Sequence, residues 1–310
     1  MTNASRRPAR AYVDQPVRDL AAAERLARTA VSRWGLTATP QLLRAGMNAL
    51  FAADDVIIRV SGPTVPGGVA LELASFLRDA GIRVPQPARD DVVTDGPRCA
   101  TAWPRLTAPN GDSDGIDWVV VGEMVRAVHD LDVDALPEGV PLPPAESFPW
   151  WDLDALLSRA APIDERAEAG LRAAIETGRG WAATADRLAD RVVCHGDVHP
   201  GNIMLAPDGP VLIDWDLLCW APRGWDHGPL MTWEQRWGGT PGIYERFASG
   251  YGRSLRGDPV AETLAELRLV AATLMRVIAG RNGDAAAAAE AERRLCYWRG
   301  DVDAPPWRAQ

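Results

Sequence analysis

His195-Gly196-Asp197-Val198-His199-Pro200-Gly201-Asn202, followed by Ile213-Asp214-Trp215-Asp216, is the stretch on which the reading of this 310-residue chain turns. Arg191–Cys194 ahead of it is a short apolar run that predicts a strand. Between the two polar segments, Ile203–Leu205 and Val211–Ile213 flank Pro207-Asp208-Gly209-Pro210, a turn sequence that predicts a β-hairpin. Polar residues therefore gather at strand ends, where a rigid scaffold commonly presents its chemistry.

The spacing has chemical content. A hairpin brings the residue before its first strand and the residue after its second to the same end, so Asn202 and Asp214 are set to share one cation through oxygen donors. Asp197, five positions before Asn202, supplies a carboxylate that can orient a hydroxyl and take its proton. Magnesium on nucleotide phosphates and a positioned acceptor are what phosphoryl transfer requires. The same stretch also contains His195 and His199 around Asp197, an HxDxH spacing that a zinc hydrolase would use. No Cys pair or further His cluster completes a tetrahedral set, and the two histidines are expected to support the loop, as is Asp216.

The form HGDxHxxN followed by IDWD resembles the aminoglycoside phosphotransferase and choline kinase branch of the protein-kinase-like superfamily, strongly over about 191–230 and weakly elsewhere. The resemblance implies an α+β, bilobal protein-kinase-like fold, with a small antiparallel-sheet N-lobe and a larger, mainly helical C-lobe. It implies that Asp197 is the catalytic base, that Asn202 and Asp214 are Mg²⁺ ligands, and that ATP is the phosphoryl donor. Asp226, in Gly224-Trp225-Asp226, resembles the Asp that anchors the catalytic loop from behind. The implied activity is transfer of a phosphoryl group to a hydroxyl of a small molecule, with an aminoglycoside or related amino sugar or antibiotic as first choice. A sugar, a choline-like amino alcohol or a homoserine-like metabolite would use the same machinery, and a catalytically silent nucleotide-binding protein is the rival of another class.

The first half reads accordingly. Gln41–Val60 contains short apolar runs broken by Gly46 and by Asp54-Asp55, and Val92–Thr94 and Arg98–Trp103 flank an Asp95-Gly96 turn, so antiparallel strands are expected. Helices are expected over 17–34 and from Pro66 to Gly81. By the resemblance, Arg59 is the strand cation that holds the α/β-phosphates and Glu72, on the following helix, orients it. Gly46, Met47 and Asn48 form the turn over the phosphates, and Trp103, with Ala102 and Leu106, lies at the hinge against adenine.

The Pro-, Gly-, Asn- and Asp-rich run from Pro104 to Gly115 marks the lobe boundary, giving a nucleotide-binding lobe over 1–104, a catalytic lobe over 105–310 and a hinge near 103–109. Beyond it, helical spacing is found over 117–131, 151–157, 167–175, 181–188, 244–251, 260–279 and 284–297. Among 13 Trp residues, Trp225, Trp233 and Trp237 follow the metal motif and, with Glu234, are the candidates for the acceptor side.

Composition sets the outer limits. With 47% hydrophobic and 24% charged residues the chain is expected to fold, and a net charge of -9 argues against nucleic acid as partner. Every one of the 33 basic residues is Arg, so any phosphate-binding cation is a guanidinium. Cys99, Cys194, Cys219 and Cys296 are scattered without CxxC spacing, which fits reduced thiols. Met1–Gln15 lacks the apolar core of a secretion signal, and Arg268 and Arg276 interrupt the longest apolar stretch, Leu267–Gly280. A cytoplasmic protein without membrane contact is expected; its oligomeric state is not written in the sequence.

Overall fold

The computed structural model describes residues 17–62, 67–112 and 115–308, so the reading of Met1–Gln15 and the helix start at Pro66 lie outside the described residues. The elements in chain order are α1 (Leu20–Arg33), β1 (Gln41–Ala45), β2 (Ala49–Ala53), β3 (Val56–Ser61), α2 (Gly67–Asp79), β4 (Val93–Asp95), β5 (Arg98–Pro104) and α3 (Trp118–His129). Then follow α4 (Leu153–Ala160), α5 (Glu165–Gly178), α6 (Trp181–Arg187), β6 (Arg191–Cys194), β7 (Ile203–Ala206), β8 (Gly209–Leu212) and β9 (Cys219–Pro222). The chain closes with α7 (Gly224–Met231), α8 (Trp233–Trp237), α9 (Ile243–Tyr251), α10 (Pro259–Arg281) and α11 (Ala285–Trp298).

The chain groups into two compact units, and the division is not a single break near 104. The first unit comprises 1–117, 130–143 and 200–219, and the second comprises 118–129, 144–199 and 220–310.

In the first unit a five-stranded sheet runs in the order β1-β2-β3-β5-β4. Every pairing in it is antiparallel. Alternation explains it: β3 buries Val56, Ile58 and Val60 while Ile57, Arg59 and Ser61 face the other side. Phe51, Ile58 and Ala102 of the sheet are buried in one apolar cluster with Leu26, Ala27 and Ala30 of α1. Asp19 caps α1 by accepting from the Ala22 N–H at 2.9 Å.

The β7–β8 hairpin belongs to this unit because its backbone is stitched to it. Leu205 N–H donates to the Thr107 carbonyl at 2.8 Å and Leu212 N–H to the Arg83 carbonyl at 2.9 Å. At the hairpin tip the Arg83 guanidinium meets the Asp208 carboxylate at 2.7 Å. Contacts between residues so far apart in sequence are invisible to a reading that looks for linkers, and so the boundary predicted at 104 captures only part of the division.

The second unit is helical around α10, a 23-residue helix capped by Asp258, whose carboxylate accepts from Ala261 N–H at 2.8 Å. Helices α3 and α9 approach so closely that a Cβ on Gly122 would sit 2.0 Å from the Phe247 carbonyl oxygen, and one on Gly250 1.9 Å from that of Val119. Only glycine permits that separation. Three elements here escaped the sequence reading: β9, α7 and α8. Gly224, Gly228 and Pro229 disguise α7, yet the glycines serve packing, since a Cβ on Gly224 would lie 2.6 Å from the Ala261 Cα of α10. Among the described residues no helix is long and apolar enough to cross a membrane.

Candidate active site

In the second unit β6 delivers the chain into His195-Gly196-Asp197, and the loop is fastened from beneath. Asp226, fully buried near the start of α7, accepts from the backbone N–H groups of His195 and Gly196, each at 2.8 Å. Its carboxylate also meets His129 Nε2 at 3.1 Å, and His129 Nδ1 contacts the Tyr251 hydroxyl at 2.9 Å. Burial alone would raise the Asp226 pKa; the hydrogen bond and charge of His129, with His195 and the Gly196 N–H, outweigh it and hold the group below the ordinary carboxylate range. Gly196 adopts φ of 96°, a left-handed conformation that favours glycine.

The Asp197 side chain, partly open to solvent, is gripped on both oxygens. Arg268 of α10 donates to Oδ1 at 2.8 Å and to the Gly196 carbonyl at 3.1 Å, while His199 Nε2 lies 3.3 Å from Oδ2. His195 is buried, and its Nδ1 accepts from the Asp197 N–H at 3.2 Å. Burial would raise the Asp197 pKa, but His199 and Arg268 override it and keep the carboxylate ionised well below its usual range.

The acceptor-side candidates divide. Trp225 is core: 1% exposed, it packs on Trp151 with centroids 4.5 Å apart and its indole N–H donates to the Gly196 carbonyl at 3.2 Å. Its bulk supports the loop, since its ring is enclosed. Trp233 is also buried: it stacks on Trp237 at 5.7 Å with His199 against it at 6.4 Å, and the Arg294 guanidinium lies over the half-buried Trp237 ring at 4.7 Å. Glu234 is exposed and accepts from the Gly242 N–H at 3.3 Å.

In the first unit the hairpin does what its sequence requires. Ile203 pairs with Leu212, and Ile213 N–H donates to the Asn202 carbonyl at 3.0 Å, so Asn202 and Asp214 stand at the same end of β7 and β8. Asp214 has φ of 64°, which turns the chain sharply out of β8 and into the short turn that carries Asp216. An amide and a carboxylate are the hard oxygen donors that Mg²⁺ takes, and the donor set fits that ion. A zinc ligand set at His195 and His199 is a different matter: among the described residues the group of three ligand-type side chains is His129, Cys194 and Asp226, buried and already hydrogen-bonded to one another and to neighbours.

Arg59 projects from β3 and engages both carboxylate oxygens of Asp216. Asn48, from the turn between β1 and β2, donates its Nδ2 to the same carboxylate at 2.8 Å. Burial would lower the Arg59 pKa, and the Asp216 and Asp214 charges more than reverse this, so the guanidinium stays charged. Glu72, expected to orient Arg59, is exposed on α2, whose inner face carries Val69, Leu73 and Leu77. In the turn, Gly46 N–H donates to the Asn48 carbonyl at 3.0 Å. Trp103, half-buried near the end of β5, donates its indole N–H to Thr101 Oγ1 at 2.9 Å.

Two site residues escaped the sequence reading. Arg268 left a trace, as a charge interrupting the apolar run of α10, whereas His129 lies in α3 with nothing local to distinguish it from a helix-end histidine.

Comparison with known proteins bears on the family and the fold. The profile of the phosphotransferase enzyme family matches residues 70–267. No curated protein matches the sequence. Among solved structures, the fold is similar to a spectinomycin phosphotransferase in complex with ADP and spectinomycin, at TM-score 0.66 and 18% identity over 89% of this chain and 94% of that one. It is also similar to an aminoglycoside phosphotransferase in complex with GDP and kanamycin, at TM-score 0.64 and 14% identity over 89% and 99% of the two chains. A choline/ethanolamine kinase family protein from Mesorhizobium loti follows at TM-score 0.58 and 17% identity, over 90% and 96%. The family match covers more than half of the sequence, and the chain belongs to the phosphotransferase enzyme family, with a protein-kinase-like α+β fold.

Proposed function

We propose that this protein transfers the γ-phosphoryl group of ATP to a hydroxyl of a small molecule, most readily an aminoglycoside or related amino sugar. The observation that carries the reading is the hairpin that sets Asn202 and Asp214 at one strand end. Those two residues would hold Mg²⁺, which offsets the charge of the nucleotide phosphates when bound. Arg59 adds a permanent cation for phosphate oxygens, and the turn Gly46-Met47-Asn48 would offer them the backbone N–H groups of Met47 and Asn48. Trp103 is assigned to the adenine side.

Asp197 is assigned as the base. Ionised and held by Arg268 and His199, it presents a carboxylate oxygen in a fixed orientation to an acceptor hydroxyl, receiving its proton as the bond to phosphorus forms. The acceptor would lie on the Trp233–Trp237 side, where Glu234 supplies an exposed carboxylate and the acidic chain favours a cation. Spectinomycin and kanamycin in the related structures support that class. A choline-like amino alcohol is the second reading, supported by the similarity to a choline/ethanolamine kinase family protein.

The test is ADP release with MgATP across aminoglycosides, other antibiotics, sugars and amino alcohols, with Asp197→Ala alongside. Turnover stimulated by an amino sugar and abolished by the substitution is expected. Stimulated turnover that survives Asp197→Ala sinks the assignment of the base, and a response to none of the acceptors favours the silent nucleotide binder.

A further inference from the structure

The carboxylate that orients Arg59 sits in an unexpected place, and the consequence lies within the first unit alone. A strand guanidinium in a phosphate site needs a counter-charge to fix its fork, or its long side chain samples many rotamers and loses more entropy on each encounter with ligand. Glu72 is exposed on α2 and no ion pair links it to Arg59 among the described residues. Asp216 takes both hydrogen bonds instead, with the two side chains only 18% and 13% exposed. The same carboxylate accepts from Asn48 across 168 residues of sequence, and Asn48 belongs to the turn between β1 and β2. Asp216 thus joins three things: the turn over the sheet, the cation on β3, and the backbone two residues beyond Asp214.

We infer that Asp216, and not Glu72, is the positioning residue for the phosphate-binding Arg59, and that through Asn48 it also sets the turn covering the phosphates; this rests on the nucleotide-binding reading above. The geometry explains why Asp216 follows Asp214 at a spacing of two. The left-handed Asp214 swings the chain so that the next carboxylate points back into the sheet, so the metal-side residue and the phosphate cation are placed by one turn. An arrangement of this kind couples the two halves of phosphate recognition without a helix-borne glutamate. It also makes Asn48 more than a turn residue: its amide nitrogen is committed to Asp216 while its Oδ1 is buried with no hydrogen-bond partner among the described residues.

The experiment measures dissociation constants for MgADP and for adenosine, by calorimetry, on the full chain and on Asp216→Asn, Arg59→Gln, the double variant and Glu72→Gln, each checked for its melting temperature. Asp216→Asn is expected to weaken MgADP by tenfold or more and adenosine by less than threefold, because only the diphosphate reaches Arg59. The double variant is expected to bind MgADP no more than threefold worse than Arg59→Gln, and the loss at Asp216 is expected to exceed that at Glu72 at least fivefold. Equal losses for MgADP and adenosine, additive losses in the double variant, or a loss at Glu72 matching that at Asp216 would each overturn the inference while leaving nucleotide binding intact. If Asp216→Asn fails to fold, Asn48→Ala carries the same test, and an unchanged ratio of MgADP to adenosine affinity in that variant overturns the inference. No MgADP binding by the unaltered protein overturns the nucleotide-binding reading itself, and the inference with it.

Discussion

Arg268 donates to the carboxylate of Asp197 at 2.8 Å from 71 residues further along the chain, and the same guanidinium holds the Gly196 carbonyl. A helix thereby fixes both the backbone and the side chain of the proposed base. Arg268→Ala is expected to lower kcat by roughly 10- to 100-fold, the cost of a misplaced catalytic group, with a small change in the KM for nucleotide. It also removes a positive charge that depresses the Asp197 pKa, so the acid limb of the kcat/KM profile should move to higher pH. A pH–rate series on the two proteins measures both effects.

Asp226 is expected to be structural in its effect. Asp226→Ala leaves the His195 and Gly196 N–H groups and His129 without their buried partner, and should cost about 3–5 kcal/mol of stability, the usual result of breaking a buried pair. Urea unfolding of the variant checks this. A variant as stable as the parent would remove Asp226 from the loop's support.

His227, fully buried beside Asp226, has a pKa pushed down to about 3, first by burial and then by the charge of His129. The unfolded chain binds this proton below about pH 6.5 and the folded chain does not, so stability falls as pH drops from 6.5 towards 4. This group alone contributes a slope of up to about 1.4 kcal/mol per pH unit over that window. His227→Gln should flatten the slope between pH 6.5 and 4, read from unfolding free energies at several pH values.

Much of this was legible in the sequence, for reasons that can be located. The short apolar runs of β2 and β3, the Asp95-Gly96 and Asp208-Gly209 turns and the periodicity of α10 are local signals, and the strands and helices follow them. The meeting of Asn202 with Asp214 was equally local, since one hairpin joins them. What escaped depends on distance along the chain. The anchoring of Asp197 by Arg268, of Asp226 by His129, and of Arg59 by Asp216 are pairings of residues 71 to 157 positions apart. Helix α7 was hidden because Gly224 and Gly228 answer to Ala261 and Ala265 of α10 rather than to helix propensity.

The central claim is that Asn202 and Asp214 form the metal side of a nucleotide site. Calorimetric titration of ADP into the protein with Mg²⁺ and with EDTA, repeated on Asp214→Ala, tests it most directly. Binding that needs Mg²⁺ in the unaltered protein and weakens at least tenfold in Asp214→Ala is the predicted result; ADP binding of equal strength with and without Mg²⁺, unchanged by the substitution, would contradict it.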